Sequence, residues 1–285
     1  MMSMTNSRSL TIKHLLPLYI AALLLFARAC CGANWFEGLP TTVQSSILWK
    51  ATHESGGTCE WNDASCKPWA SGSYSYKIVT TPVHSGRYAL SSTINTSRED
   101  SGVRWPRRWV NNSNPRAGLP TDAYYSCWIY MPVKTKSAWY NQMQWKSNRQ
   151  NGRDLSGSDP CWNVGPRMAS NGKMYLYVHS HIGTDGGYNT RGSGDKGTGT
   201  FEILPARWYH LEARYMWRKD KTGKLQVWLD GVKQFDFSNI QTQFNRPDAE
   251  YPRQWAVNAY ASQVSPNPHT LIIDDAAISS VKLYQ

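Results

Sequence analysis

The sequence predicts an all-β fold, a β-jelly roll of the concanavalin A-like antiparallel sandwich type. Three observations carry that expectation. Helical periodicity is almost absent after residue 34. Runs rich in Val, Ile, Tyr and Trp alternate instead with clusters of Gly, Pro, Asn and Asp. The 285 residues, 40% hydrophobic and 13% aromatic, suffice for one sizeable core but not for several domains of ordinary size.

Strands are expected at 75–81, 87–95, 101–109, 123–132, 139–147, 173–181, 207–217, 224–230, 254–261 and 270–283. Asp220-Lys-Thr-Gly-Lys224 reads as a hairpin turn, and Asp230-Gly231 ends the following strand with a residue tolerant of positive φ. Residues 148–172 and 183–200, rich in Gly, Ser, Asn and Asp, read as two long loops, a feature that in a compact domain usually marks function or mobility.

Residues 1–33 read as a signal peptide. Arg8 and Lys13 precede an apolar run from Leu15 to Phe26, too short to span a bilayer, and the small residues Ala27, Ala29 and Ala33 follow. Residues 34–285 then form a single secreted, extracellular domain with no membrane span. Cleavage after Ala33 removes Cys30 and Cys31, whereas cleavage after Ala29 retains both; a lipoprotein anchored through one of them is the competing reading. Four remaining cysteines allow three pairings, of which Cys59 with Cys66 and Cys127 with Cys161 is the one expected. Asn95-Thr-Ser and Asn111-Asn-Ser are glycosylation sequons, meaningful in a eukaryotic secretory pathway.

The formal charge of +11 and pI near 9.4 give a field that attracts polyanions. Nucleic acid is a poor match, because the chain has no helix-turn-helix pattern, zinc-finger spacing, RNP-like segment or Lys/Arg block. An acidic polysaccharide is the expected partner of what is read as a monomer.

Strand side chains alternate between faces, so each strand splits into a core set and an opposite set. Opposite Trp139, Met143 and Trp145, with Asn141 among them, stand Tyr140, Gln142, Gln144 and Lys146; opposite Leu176 and Val178 stand Tyr175, Tyr177, His179 and His181. Opposite Trp255, Val257 and Ala259 stand Gln254, Asn258 and Tyr260; opposite Val103 and Trp105 stand Arg104 and Arg108. On one sheet these residues make a polar, aromatic groove of carbohydrate-binding composition, in which rings stack on sugars, amides reach hydroxyls and Arg pairs with carboxylate or sulfate. A solvated outer face is the plain alternative.

The groove set contains no pair of carboxylates, so glycoside hydrolysis is disfavoured. Elimination needs other groups: a neutraliser of a uronate carboxylate, an acceptor for the C5 proton and a donor to the leaving oxygen. Gln144, Asn258 and an arginine suit the first task; Lys146, Tyr260, His179 and His181 are candidates for the proton transfers. His179-x-His181 has no third ligand nearby for zinc. Calcium is the expected cofactor, held by Glu54 near the start of the domain and by Asp274 or Asp275 near its end.

The order of segments resembles the jelly-roll polysaccharide lyases, the group containing heparin lyase I, glucuronan lyase and an ulvan lyase family. It comprises Glu54-Ser-Gly, Val83-His-Ser-Gly-Arg-Tyr-Ala-Leu90, Ser126 to Pro132, Gln144-Trp-Lys146, Arg207-Trp-Tyr-His210, Val227-Trp-Leu-Asp-Gly231 and Asp274-Asp275. Where heparin and glucuronan lyases typically carry Gln-x-His and Lys-x-Gly-x-Tyr, this chain has Lys146 for the His, Ala256 for the Lys and Asn258 for the Gly. Gln-x-Lys with a distant Tyr is more similar to the ulvan lyases. That resemblance implies a secreted endo-acting lyase with Lys146 and Tyr260 sharing the base and acid roles and Gln144 with an arginine on the carboxylate. A non-catalytic glycan-binding module is the competing expectation. A hydrolase using loop carboxylates such as Asp154, Asp159, Asp185 or Asp195 is the third.

Overall fold

The computed structural model describes residues 33–61, 66–97, 100–110, 118–149, 158–247 and 253–284. Residues 1–32 of the leader, Asn111 and Asp154 lie outside the described residues. A 3-10 turn at Trp35–Gly38 and one helical turn at Thr41–Gln44 precede the strands. The strands in chain order are β1 (Ile47–Ala51), β2 (Trp69–Ser71), β3 (Tyr74–Val79), β4 (Ala89–Ile94) and β5 (Ser101–Arg107). Then come β6 (Asp122–Tyr130), β7 (Trp139–Asn148), β8 (Ser158–Met168), β9 (Met174–Ser180) and β10 (Gly194–Thr198). The last five are β11 (Trp208–Met216), β12 (Gly223–Leu229), β13 (Val232–Ile240), β14 (Gln254–Ser262) and β15 (His269–Ser279).

They form two antiparallel sheets. The larger runs β13-β12-β11-β6-β15-β4-β3, with β1 also on β15; the smaller runs β10-β9-β8-β7-β14-β5-β2. All ten predicted strands are present, and the jelly-roll expectation holds. Between the sheets, Val103, Trp105, Met143, Trp145, Trp255 and Val257 of the smaller meet Tyr125, Ile129, Leu211 and Tyr215 of the larger. The Trp145 and Tyr215 rings stack at 4.5 Å across that core. Non-directional burial of these large side chains is the main force closing the sandwich.

Five strands went unpredicted, each for a physical reason. In β8, Pro160 and Pro166 look like strand breakers, yet Pro160 sits where the pairing with β7 shifts register, a place that tolerates a missing N–H. Gly165 of β8 lies so close to β7 that a Cβ there would stand 1.9 Å from the Tyr140 carbonyl oxygen. β10, Gly-Asp-Lys-Gly-Thr, and the three-residue β2 are edge strands, where low β-propensity is protective. β1 is five residues long, and β13 follows β12 directly through Asp230 and Gly231, whose φ angles of 47° and 77° make the tight turn.

Cys59 and Cys66 are joined in a disulfide, as expected. Cys127 and Cys161 are not: both are free and buried, one on β6 of the larger sheet and the other on β8 of the smaller. They behave as small core residues, with the Cys161 Sγ 3.1 Å from the Ser147 hydroxyl. Burial pushes both thiols up, so neither is a nucleophile. Among the described residues no helix is long and apolar enough to cross a membrane.

Candidate active site

The outer face of the smaller sheet carries a cleft of about 490 Å³. Alternation places the expected side chains there on three strands. Leu176 and Val178 of β9 enter the core while Tyr177 and His179 line the cleft, with His181 just beyond; Arg104 of β5 and Tyr260 of β14 line it opposite the core residues Val103, Trp105, Val257 and Ala259.

On β7 strict alternation fails. Met143 pairs with Val257 and Asn141 with Tyr260, so two β14 residues stand against Gln142 alone, and the facing of β7 slips by one. Trp139, Asn141, Gln144 and Lys146 therefore line the cleft, while Tyr140, expected there, is in the core. Gln142, also expected there, is fully buried and outside the cleft lining, with neither amide atom hydrogen-bonded.

Lys146 is the most perturbed cation of the cleft. Burial first, then the neighbouring Arg104, push its pKa down to about 8, with Asp159 opposing. Its Nζ stands 5.9 Å from the Trp69 ring on the edge strand. Tyr260 moves the other way: partial burial raises its pKa, although the Arg104 guanidinium, 4.4 Å from the ring centre, pulls it down. Two groups pushed apart in this way suit a base and an acid respectively.

The amides form a relay. Asn258, fully buried, donates through Nδ2 to Asn141 Oδ1 at 3.1 Å, and Asn141 Nδ2 donates to Gln144 Oε1 at 2.5 Å. Asn258 therefore acts through Asn141, a residue that alternation missed, and Gln144 keeps its Nε2 donor for a carboxylate. Arg108, expected in the groove, is not among the residues lining the cleft; its guanidinium lies 4.4 Å from the centre of the Trp69 ring on the edge strand β2.

His179 bonds Asp195 Oδ1 through Nδ1 at 2.8 Å. His181 lies between Asn189 Oδ1 and Asn163 Oδ1, both at 2.9 Å. Burial, then His179, push the His181 pKa down to about 4, so it is neutral near pH 7. A neutral imidazole has one N–H, and one of the two asparagines therefore presents its amide nitrogen. The Tyr177 hydroxyl is already used, donating to the Tyr140 carbonyl at 2.7 Å and accepting its N–H at 3.0 Å, and the Arg167 guanidinium lies 3.9 Å from its ring centre.

Tyr188 was not anticipated. It arrives on the 183–193 loop, stacks on His181 at 5.6 Å and carries the Arg149 guanidinium 5.3 Å from its ring centre. Asn163 was hidden in the Pro-flanked β8. Of the described loop carboxylates, Asp159 lines the cleft, as Asp100 does, but pairs with Arg149; Asp195 pairs with Arg167 as well as His179, and Asp185 accepts the Gly187 N–H. They do not form the free pair that a hydrolase needs.

The expected calcium ligands Glu54, Asp274 and Asp275 converge on one turn and accept hydrogen bonds from it. Glu54 accepts the N–H groups of Arg87 and Tyr88, Asp274 that of His84, and Asp275 the Ser85 hydroxyl at 2.7 Å. Among the described residues no group of three His, Cys, Asp or Glu side chains could hold a metal ion. The three carboxylates hold the turn as a hydrogen-bonded latch, and Asp275 Oδ1 is buried without a partner.

Comparison with solved structures places the same sandwich in several proteins. An endo-β-1,4-glucuronan lyase from the fungus Trichoderma reesei superposes with a TM-score of 0.60 at 15% identity, over 82% of this chain and 96% of that one. A marine alginate lyase from Aplysia kurodai gives 0.52 at 12% identity, over 82% and 99%. At these identities the likeness is one of fold. No curated protein sequence matches the chain. The family model described as "Polysaccharide lyase" matches residues 51–276, which takes in every cleft residue named above, and the chain therefore belongs to the polysaccharide lyase family.

Proposed function

We propose that this polysaccharide lyase is a secreted, endo-acting enzyme that cuts a uronate-containing polysaccharide by β-elimination, with Lys146 as base and Tyr260 as acid. The observation that carries the assignment is that Lys146 and Tyr260 line one cleft together with Arg104, which lies 4.4 Å from the Tyr260 ring centre; burial pushes the Lys146 pKa down to about 8 and that of Tyr260 up. Gln144 and Arg104 hold the uronate carboxylate, which makes the C5 proton acidic. Neutral Lys146 takes that proton, the C5 electrons form the C4–C5 double bond, and the C4–O4 bond breaks. Tyr260 protonates the departing oxygen, and proton exchange with solvent restores both groups. The products are one chain with an unsaturated uronate at its new non-reducing end and one with a new reducing end.

Ulvan is the first substrate to try, on the strength of the Gln144-Trp-Lys146 pattern. Glucuronan and alginate follow, since lyases of those polymers share the fold. Secretion is supported by the Cys59–Cys66 disulfide, which persists in oxidising compartments. The test is incubation with ulvan, glucuronan, alginate and heparin while following the ultraviolet absorbance of the unsaturated uronate. A rise on one polymer supports the reading; new reducing ends without absorbance point to hydrolysis instead.

A second acid is favoured by one observation. Lys146 pairs with Gln254 and Tyr260 with Asn141, five positions apart along β7, whereas Tyr188 stacks on His181, which bonds the Cys161 carbonyl beside the Lys146 partner Pro160. Tyr188 thus stands at the lysine end of the cleft, and loss of turnover in Tyr188→Phe with activity kept in Tyr260→Phe would move the acid role to it.

A further inference from the structure

Trp139 opens β7, seven positions before Lys146. Under strict alternation an odd separation puts two side chains on opposite faces. The slip between Asn141 and Gln144 returns Trp139 to the cleft side, where it is half-buried and forms part of the wall. Its indole stands 5.1 Å from the Tyr260 ring at an interplanar angle of 62°. The lining beside it is Asn141 with its partner Tyr260, and the indole, half-buried in the cleft wall, keeps apolar surface in contact with solvent.

Position along β7 sets an order. Lys146 comes first, where the C5 proton is taken. Gln144 follows, for the carboxylate, then Asn141 with its partner Tyr260, for the departing oxygen, and last Trp139. With Tyr260 as the acid, the sugar that keeps the departing oxygen would lie past Tyr260, on the side away from Lys146. A large flat ring in that place matches the C–H face of a pyranose.

We propose that Trp139 is the stacking platform for the sugar on the leaving, non-reducing side of the scissile bond, an inference that rests on the lyase reading with Tyr260 as acid. It makes Trp139 a specificity-determining residue that fixes which bond of a chain is cut. Its contribution is to binding, while proton transfer stays with Lys146 and Tyr260.

The experiment uses reducing-end-labelled hexasaccharides of the polymer that the wild-type enzyme cleaves. For Trp139→Ala the KM should rise roughly tenfold with kcat within about twofold, the size of one aromatic contact. The preferred cut should shift toward the non-reducing end, because filling sugar sites on that side no longer gains anything. Trp139→Phe should restore most of both. Unchanged KM and cutting pattern would overturn the proposal, and so would a kcat loss equal at every chain length with a lowered Tm. Calorimetric binding of ulvan, glucuronan and alginate hexasaccharides to wild type and Trp139→Ala keeps the two readings separate. Absence of unsaturated product from every polymer defeats the lyase reading. Binding that is then equal in both proteins defeats the platform, and binding weakened by the same factor in Trp139→Ala upholds it.

Discussion

The Arg104 guanidinium lies 4.4 Å from the centre of the Tyr260 ring and also depresses the Lys146 pKa. One cation thus acts on both proton-transfer groups. It offsets the rise that burial imposes on the phenol and adds to the fall that burial imposes on the amine. Arg104→Ala would therefore disturb both at once, and single-atom changes are the cleaner probes.

Tyr260→Phe removes only a phenolic proton. Turnover should fall by roughly 10²–10⁴-fold, the usual worth of a positioned acid, with polymer binding unchanged. Tyr188→Phe should lower kcat less than tenfold. Steady-state absorbance assays of both variants, with calorimetry for binding, check this, and the reverse ranking assigns the acid to Tyr188.

Lys146 must be neutral to accept a proton, so kcat/KM should climb as pH rises and level off above about 8. The same shift sets a stability trend. The folded-state pKa lies below the ordinary 10.5, so between about pH 8 and 10.5 the unfolded chain binds more protons, and stability rises with pH across that window. Below about pH 8 the cost of burying the cation is felt in full. Lys146→Met should raise Tm at pH 7 while abolishing activity, which scanning calorimetry and the absorbance assay would record.

Glu212 makes the opposite trend at the far side of the sandwich. Burial lifts its pKa from 4.5 to about 7, although it accepts the Leu283 N–H at 2.7 Å and so anchors the chain terminus. Between about pH 4.5 and 7 the folded state binds the extra proton, so this group's contribution is intact below that window and lost as pH rises through it. Glu212→Gln should flatten that loss, raising Tm by a few degrees at pH 8 and little at pH 4.5.

The carboxylates of Glu54, Asp274 and Asp275 already hold the turn at residues 84–88. Adding EDTA should leave Tm unchanged. A fall of several degrees, reversed by calcium, would restore these three residues as ligands.

How much was legible beforehand depended on regularity. Leu176, Tyr177, Val178 and His179 alternate without interruption, and their facing followed from period two alone. The β7 slip at Gln142 leaves no mark in composition, because it arises from how β14 pairs with β7, and it cost Asn141 and Trp139 as cleft residues. Asn163 was hidden because Pro160 and Gly165 weaken strand propensity that the neighbours β7 and β9 restore. The Cys127–Cys161 pairing failed for a related reason: cysteine parity cannot say that two thiols belong to facing sheets.

The central claim is that the Lys146 amine removes the proton. The most direct measurement is the rate of unsaturated-uronate formation by Lys146→Ala on a polymer that both proteins bind with similar Kd. The predicted result is a rate lower by at least about 10³-fold, with an intact fold by circular dichroism. A rate within tenfold of wild type, with the same pH dependence, would contradict it.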